Sequence, residues 1–256
     1  MNQRPRKRFG QHFLIDPDII ERIVAAIAPR EGEVIVEIGP GRGALTEPLA
    51  HLASTLHAIE FDRDLAASLR IQFANRPGIM IYEADALRFD FSSLGSALRV
   101  VGNLPYNIST PLLFHLLTFS EELIDAHFML QKEVVERICA TPGNKNYGRL
   151  TVMLGCRMQA VALFDVPPAA FSPPPKVVST VVRLRPIPAG QFVIADPLTL
   201  ENIVRGAFSK RRKTLRNALQ GLADPADIAA AGLDPGCRPE QVDIGDWIAL
   251  ANHISR

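Results

Sequence analysis

From Val34 onward, short strand-like runs alternate with helical stretches, and this alternation restricts the chain more than any other feature. Val34–Ile38, Thr55–Glu60, Ile79–Tyr82, Leu98–Val101 and Ala126–Leu130 read as strands. Helical segments separate them: to about Ala53, through about Phe73, Ser109 to about Phe119, and then Glu133 to about Cys139. A further helix opens at Asp16-Pro17, a capping carboxylate followed by a first-turn proline, and Ile19, Ile20, Ile23, Val24 and Ile27 follow at helical spacing. Strands in alternation with helices give a mostly parallel sheet covered on both faces. Two later strands, near 160–166 and 177–184, have no long crossover between them and are expected as an antiparallel hairpin at the sheet edge, making seven strands. The loop joining them holds Pro167, Pro168, Pro173, Pro174 and Pro175, so it is stiff and poor in backbone donors.

After Pro186 the strand signals fade. Helices are predicted near 197–208, 210–222, 225–231 and 239–254. A domain boundary falls at about residue 188, in Pro186-Ile187-Pro188-Ala189-Gly190. The expected architecture is therefore α/β and Rossmann-like over 1–188, with a basic N-terminal segment at 1–16, plus a small all-helical domain over 189–256.

The 256 residues suffice for one such core and an appendage. No run of 18 apolar residues predicts a membrane span, and the basic N-terminus lacks the apolar stretch of a secretory signal. Cys139, Cys156 and Cys237 form neither a disulfide framework nor a metal-binding pair, which suggests a reducing cytoplasm. His12, His51, His57, His115, His127 and His253 show no ligand spacing, so no metal is expected. The net charge is only +1. Cations nonetheless gather locally, at Arg4, Arg6, Lys7 and Arg8 and again at Arg205, Lys210, Arg211, Arg212, Lys213 and Arg216, where no acid lies between Glu201 and Asp224. Such clusters suit a phosphate backbone, the alternative being a solvated helix face.

The first of these strands runs into Gly39-Pro40-Gly41-Arg42-Gly43-Ala44. Glycines there let backbone pass close to a ligand at the sheet's carboxyl edge, and Glu60, ending the next strand, can accept both hydroxyls of a ribose. This loop fits either a dinucleotide or S-adenosylmethionine. Asp85, after the third strand, can accept from an adenine amine while the Ala86 N–H donates to the ring. The fourth strand exits into Asn103-Leu104-Pro105-Tyr106, which favours methyl transfer. An adenine exocyclic amine is a poor nucleophile because its lone pair is delocalised into the ring. Holding both amine hydrogens with acceptors localises that pair: the Asn103 side-chain oxygen takes one hydrogen, a carbonyl of Leu104 or Pro105 the other. Pro105 keeps Leu104 extended. Tyr106 offers a ring to an unpaired base, and Phe171 is expected as the second wall of a base sandwich or, equally, as a core anchor for its loop.

These segments resemble the KsgA-type family of small-subunit rRNA adenine N6,N6-dimethyltransferases (ribosomal RNA small subunit methyltransferase A). The resemblance is carried by Arg6-Lys7-Arg8-Phe9-Gly10-Gln11-His12-Phe13-Leu14, Val36-Glu37-Ile38-Gly39-Pro40-Gly41, Gly102–Pro111, Phe128–Glu133, Tyr147–Leu150 and Phe171–Val177, and covers nearly the whole chain. It implies a class I methyltransferase fold and dimethylation of two adjacent adenines in the loop of the 3′-terminal hairpin of 16S rRNA, within an immature 30S subunit. It also implies S-adenosyl-L-methionine contacts from His12 and Leu14 near the methionine end, Gly39 in the loop, Glu60 on ribose, Asp85 on adenine and Asn103 beside the methyl group. Gln11, Gly41, Phe61 and Ala86 complete the expected cofactor set. The family often has Asn where this chain has His12, and both residues hydrogen-bond. Arg6, Lys7, Arg8 and the Lys210-Arg211-Arg212-Lys213 run are the expected rRNA contacts. A cytoplasmic, monomeric enzyme acting in small-subunit biogenesis follows. The competing readings are a 23S rRNA adenine methyltransferase of the macrolide-resistance type, a non-catalytic 30S assembly factor, and an NAD-linked oxidoreductase, which leaves the Asn-Leu-Pro-Tyr turn and the basic run unexplained.

Overall fold

The structure, a computed structural model, describes residues 12–255. By packing, the chain forms two compact units: Met1–Val135 with Ala160–Pro186, and Glu136–Gln159 with Ile187–Arg256.

The first unit begins with a two-residue strand, β1 (Phe13–Leu14), and helix α1 (Pro17–Ile27). The Asp16 carboxylate caps α1 by accepting the Asp18 and Ile19 N–H groups, and Ile19, Ile23 and Ile27 bury one face. Then come β2 (Val34–Ile38), α2 (Thr46–Leu52), β3 (Thr55–Glu60), α3 (Arg63–Gln72), β4 (Ile79–Glu83), β5 (Leu98–Asn103), α4 (Ser109–Leu117), β6 (Leu123–Gln131) and α5 (Lys132–Ile138). After α6 (Arg149–Gly155) the sheet is completed by β7 (Met158–Val166) and β9 (Ser179–Pro186), while β8 (Phe171–Ser172) pairs antiparallel with β1. The seven-stranded sheet has the order β4-β3-β2-β5-β6-β9-β7. Its β4 to β6 portion is parallel, and β9 lies antiparallel to β6. The mostly parallel sheet and the pairing of the two late strands at its edge match the sequence reading.

The chain leaves β2 toward β3 and β4 on one side and returns on the other through β5 and β6. The carboxyl ends of β2 and β5 therefore flank the point where strand order reverses, the usual ligand crevice of open α/β sheets. Gly102 makes that junction possible, because a Cβ there would lie 2.5 Å from the Ile38 carbonyl oxygen. At the opposite end of the sheet, the buried Arg99 guanidinium binds both Asp125 oxygens (3.0 and 2.9 Å), Glu33 (2.7 Å) and the carbonyls of Ile27 and Ala28. It thereby joins α1 to β5 and β6.

The second unit packs α6, α7 (Pro197–Ser209), α8 (Leu215–Ala218), α9 (Pro225–Ala230) and α10 (Ile244–Ile254). Its core is built around Trp247, Tyr147, Val204, Leu215 and Leu250. Two differences from the sequence reading concern this unit. The segment Glu136–Gln159, expected within the sheet domain, belongs here, because Tyr147, Val152 and Cys156 are part of the helical core. The basic run Lys210–Lys213 is not helical. The helix stops at Ser209, turns tighten through Lys210 N–H to Ala207 and Lys213 N–H to Lys210, and α8 restarts at Leu215. Four consecutive cations offer no apolar face to bury, and the next fully buried side chain is Leu215. Among the described residues no helix is long and apolar enough to cross a membrane, and no cluster of His, Cys, Asp or Glu is arranged to hold a metal ion.

Candidate active site

A cavity of about 270 Å³ opens at the carboxyl ends of β2 to β5. Because these strands are parallel, the residues that end or follow them reach one edge together: Gly39 and Gly41 after β2, Glu60 and Phe61 at β3, Asp85 and Ala86 after β4, Asn103 to Tyr106 at β5. His12 and Leu14 line it from the N-terminal side. Gln11, like Arg6, Lys7 and Arg8, lies outside the described residues.

The Gly39 loop fits closely. Gly39 and Gly41 have φ values of 67° and 59°, in the left-handed region that disfavours a side chain. A Cβ at Gly41 would lie 3.2 Å from the Phe13 ring, so β1 lies directly against the loop. The Arg42 guanidinium covers that ring at 4.3 Å.

Glu60 is 6% exposed. One carboxylate oxygen accepts the Gly41 N–H at 3.0 Å, the other the Asp62 N–H at 2.8 Å. Burial pushes its pKa up, and backbone donors from Asp62, Gly41 and Phe61 counter that push. An ionised carboxyl has about four acceptor positions, so beside its backbone donors Glu60 retains capacity for a ribose hydroxyl. That acceptor set fits the nucleoside part of S-adenosylmethionine. Phe61 follows, 60% exposed at the cavity. Asp85 accepts the Leu87 N–H at 3.0 Å. The sequence reading did not single out Glu37, which is buried in the cavity wall. Burial, with a smaller push from nearby Glu60, raises its pKa to about 7 against the opposing effect of the Thr46 hydroxyl, which donates to it at 2.6 Å. Its only signal was an acid inside an otherwise apolar strand.

The Asn103 Nδ2 donates to the His12 carbonyl at 3.0 Å. A carbonyl only accepts, so this bond fixes the amide and leaves Oδ1 for an incoming donor. The Leu104 N–H extends the ladder to the Met129 carbonyl, and the Pro105 carbonyl accepts the Ile108 N–H. The Tyr106 hydroxyl bonds Ser179 Oγ at 2.8 Å, and its ring stacks on that of His12 with centroids 5.8 Å apart. His12 Nδ1 in turn donates to the Pro173 carbonyl at 2.7 Å.

Phe171 is not brought to the cavity. It stands opposite Leu14 in the β1–β8 ribbon and is 3% exposed, packed in the apolar core with Ile19, Ile23 and Met129. A base-stacking wall needs an open ring face. This ring instead holds the ribbon that leads on from His12, so the core-anchor reading replaces the sandwich reading.

Parallel strands, a glycine loop under a buried carboxylate, and an amide-bearing turn on the adjacent strand define a class I, Rossmann-like methyltransferase. A family model for ribosomal RNA adenine dimethylase matches residues 2–256, and the chain belongs to that family. It is 54% identical over 252 residues to ribosomal RNA small subunit methyltransferase A of Aromatoleum aromaticum, spanning 98% of this chain and 95% of that one. Its identity to the protein of the same name from Pseudomonas aeruginosa is 52% over 255 residues, 98% of this chain and 95% of that one. Among solved structures, a dimethyladenosine transferase from Plasmodium falciparum superposes with a TM-score of 0.80 at 27% identity, covering 93% of this chain and 96% of that one. The 23S rRNA methyltransferase ErmE gives 0.74 at 26%, covering 95% and 100%.

Proposed function

We propose that this enzyme dimethylates the N6 amines of two adjacent adenines in the 3′-terminal hairpin loop of 16S rRNA. It acts on the 30S subunit or its precursor, as a cytoplasmic monomer with S-adenosylmethionine as donor. The observation that carries the reading is the Asn103 amide, oriented by the His12 carbonyl so that its oxygen is available beside the Glu60 cavity.

Glu60 holds the ribose hydroxyls, Asp85 and the Ala86 N–H hold the adenine ring of the cofactor, and Phe61 lies along it. The bound cofactor supplies an electrophilic methyl group. Asn103 Oδ1 accepts one hydrogen of the target amine. The Leu104 carbonyl accepts the other, since the Pro105 carbonyl is engaged in its own turn. In the first transfer both acceptors hold the amine hydrogens and localise the lone pair. One proton is then lost to solvent, and in the second transfer one acceptor holds the single remaining hydrogen. In both, the contacts strengthen as positive charge develops on nitrogen and so favour the transition state over the ground state. Tyr106 offers its ring to the unstacked base. Transfer of labelled methyl groups to under-methylated 30S subunits, with none to fully methylated ones, tests this reading.

Two further results are expected. Glu60→Ala should weaken S-adenosylmethionine binding roughly ten- to a hundredfold, as expected when charge-assisted hydrogen bonds are removed. Calorimetry on the folded variant measures this, and unchanged affinity would remove Glu60 from the cofactor site. Lys210, Arg212 and Lys213 are solvent-facing, whereas Arg211 also reaches Glu240 (3.7 Å) and the Asn144 carbonyl. Neutralising those three cations should weaken 30S binding and reduce the slope of log K against log salt by about 0.7–0.9 for each phosphate that the run no longer neutralises. Equal slopes for variant and parent would mean that the run does not touch rRNA.

A further inference from the structure

We infer that Ser179 is a positioning residue for methyl transfer, acting through the Tyr106 hydroxyl to hold that ring as a one-sided platform for the target base. The inference rests on the adenine-N6 reading above.

Ser179 opens β9 opposite Gln131 and is fully buried. Thr180 beside it is paired with Asp165, and Val181 and Val182 further along the strand are buried and apolar. A buried hydroxyl costs stability unless it is paired, and the partner here is not a backbone group of the sheet but the Tyr106 hydroxyl, 2.8 Å away and 73 residues distant in sequence. Tyr106 stands in the turn after Pro105 and lines the cavity. The Ser179 bond fixes the far end of the ring. The stacked His12 ring covers one face, and His12 is itself held by the Pro173 carbonyl. One face of the tyrosine is thereby backed and its tilt set, so a base stacks only on the other face. The same His12 fixes the Asn103 amide through its backbone carbonyl. Ring orientation and acceptor orientation thus share one support. Alignment of this kind acts on the rate of the chemical step more than on affinity, because the binding energy is spread over phosphate contacts elsewhere.

Three variants form the test: Ser179→Ala, Tyr106→Phe and the pair combined, with Tyr106→Ala as a reference. The readout is single-turnover methylation of under-methylated 30S subunits at saturating enzyme and cofactor, with 30S affinity and thermal midpoint measured alongside. Removal of one neutral hydrogen bond should slow each single variant by roughly three- to tenfold. The double variant should be no slower than the slower single one, because both delete the same bond. Affinity should stay near the parental value, whereas the thermal midpoint should fall in each single variant, which leaves one buried hydroxyl unpaired, and less in the double variant, which leaves none. If the rate losses multiply in the double variant, or if Ser179→Ala runs at the parental rate while Tyr106→Ala is slow, the positioning role is overturned and the base-stacking role of Tyr106 stands. If Tyr106→Ala itself runs at the parental rate, the stacking role fails and the role of Ser179 fails with it.

Discussion

Asn103→Ala is expected to slow methyl transfer by about two to three orders of magnitude, the size of effect seen when one preorganised transition-state hydrogen-bond partner is deleted. The expectation follows from the fixed amide. With Nδ2 committed to the His12 carbonyl, Oδ1 is left as a fixed acceptor, which under the proposed reading takes the amine hydrogen without reorganisation at the moment of reaction. Alanine removes the acceptor and also releases the His12 carbonyl. rRNA affinity should hardly change, because it comes mainly from phosphate contacts over a larger surface. Single-turnover methylation at saturating enzyme and cofactor isolates the chemical step. A near-parental rate there would mean that another group accepts the amine hydrogen.

Arg99→Ala is expected to cost about 3–5 kcal/mol of stability, since it strips the partner from carboxylates in a buried ion network. Asp125 is almost fully buried and Glu33 partly so, and neither keeps its hydrogen bonds to the guanidinium in the variant. The same network sets an acid limb. Burial alone would raise the Asp125 pKa, but His127 and Arg99 beside it bring it down to about 2, below its ordinary 3.8. A carboxyl with a lowered folded pKa contributes stability above its unfolded value, and that contribution disappears as pH falls from about 4 through about 2. Acid unfolding should therefore begin at higher pH in the variant. Urea titrations at neutral and acid pH read both effects, and a loss under about 1 kcal/mol at neutral pH would show that the network is not a keystone of the sheet.

Much of the site was legible because a parallel sheet converts sequence order into spatial order. Residues that end successive predicted strands arrive at one edge, so Gly39, Glu60, Asp85 and Asn103 could be gathered without coordinates. What escaped depends on tertiary choices. Lysine and arginine have good helix propensity, yet Lys210–Lys213 turns because nothing there can be buried. No helix is expected from the sequence at Arg149–Gly155, and the apolar residues of α6 do not say which core they join. Phe171 in its proline-rich loop suggested either a site wall or a core anchor, and only its register opposite Leu14 decided between them. His12 and Pro173 are 161 residues apart, and no local pattern predicts their hydrogen bond or the Ser179–Tyr106 pair.

The central claim is most directly tested by mapping modified nucleotides after the enzyme has acted, with S-adenosylmethionine, on separate under-methylated 30S and 50S subunits. Two adjacent N6,N6-dimethyladenines are expected in the 3′-terminal hairpin loop of 16S rRNA, with no modification of 23S rRNA. A methylated adenine in 23S rRNA, or 30S binding without any methyl transfer, would contradict it.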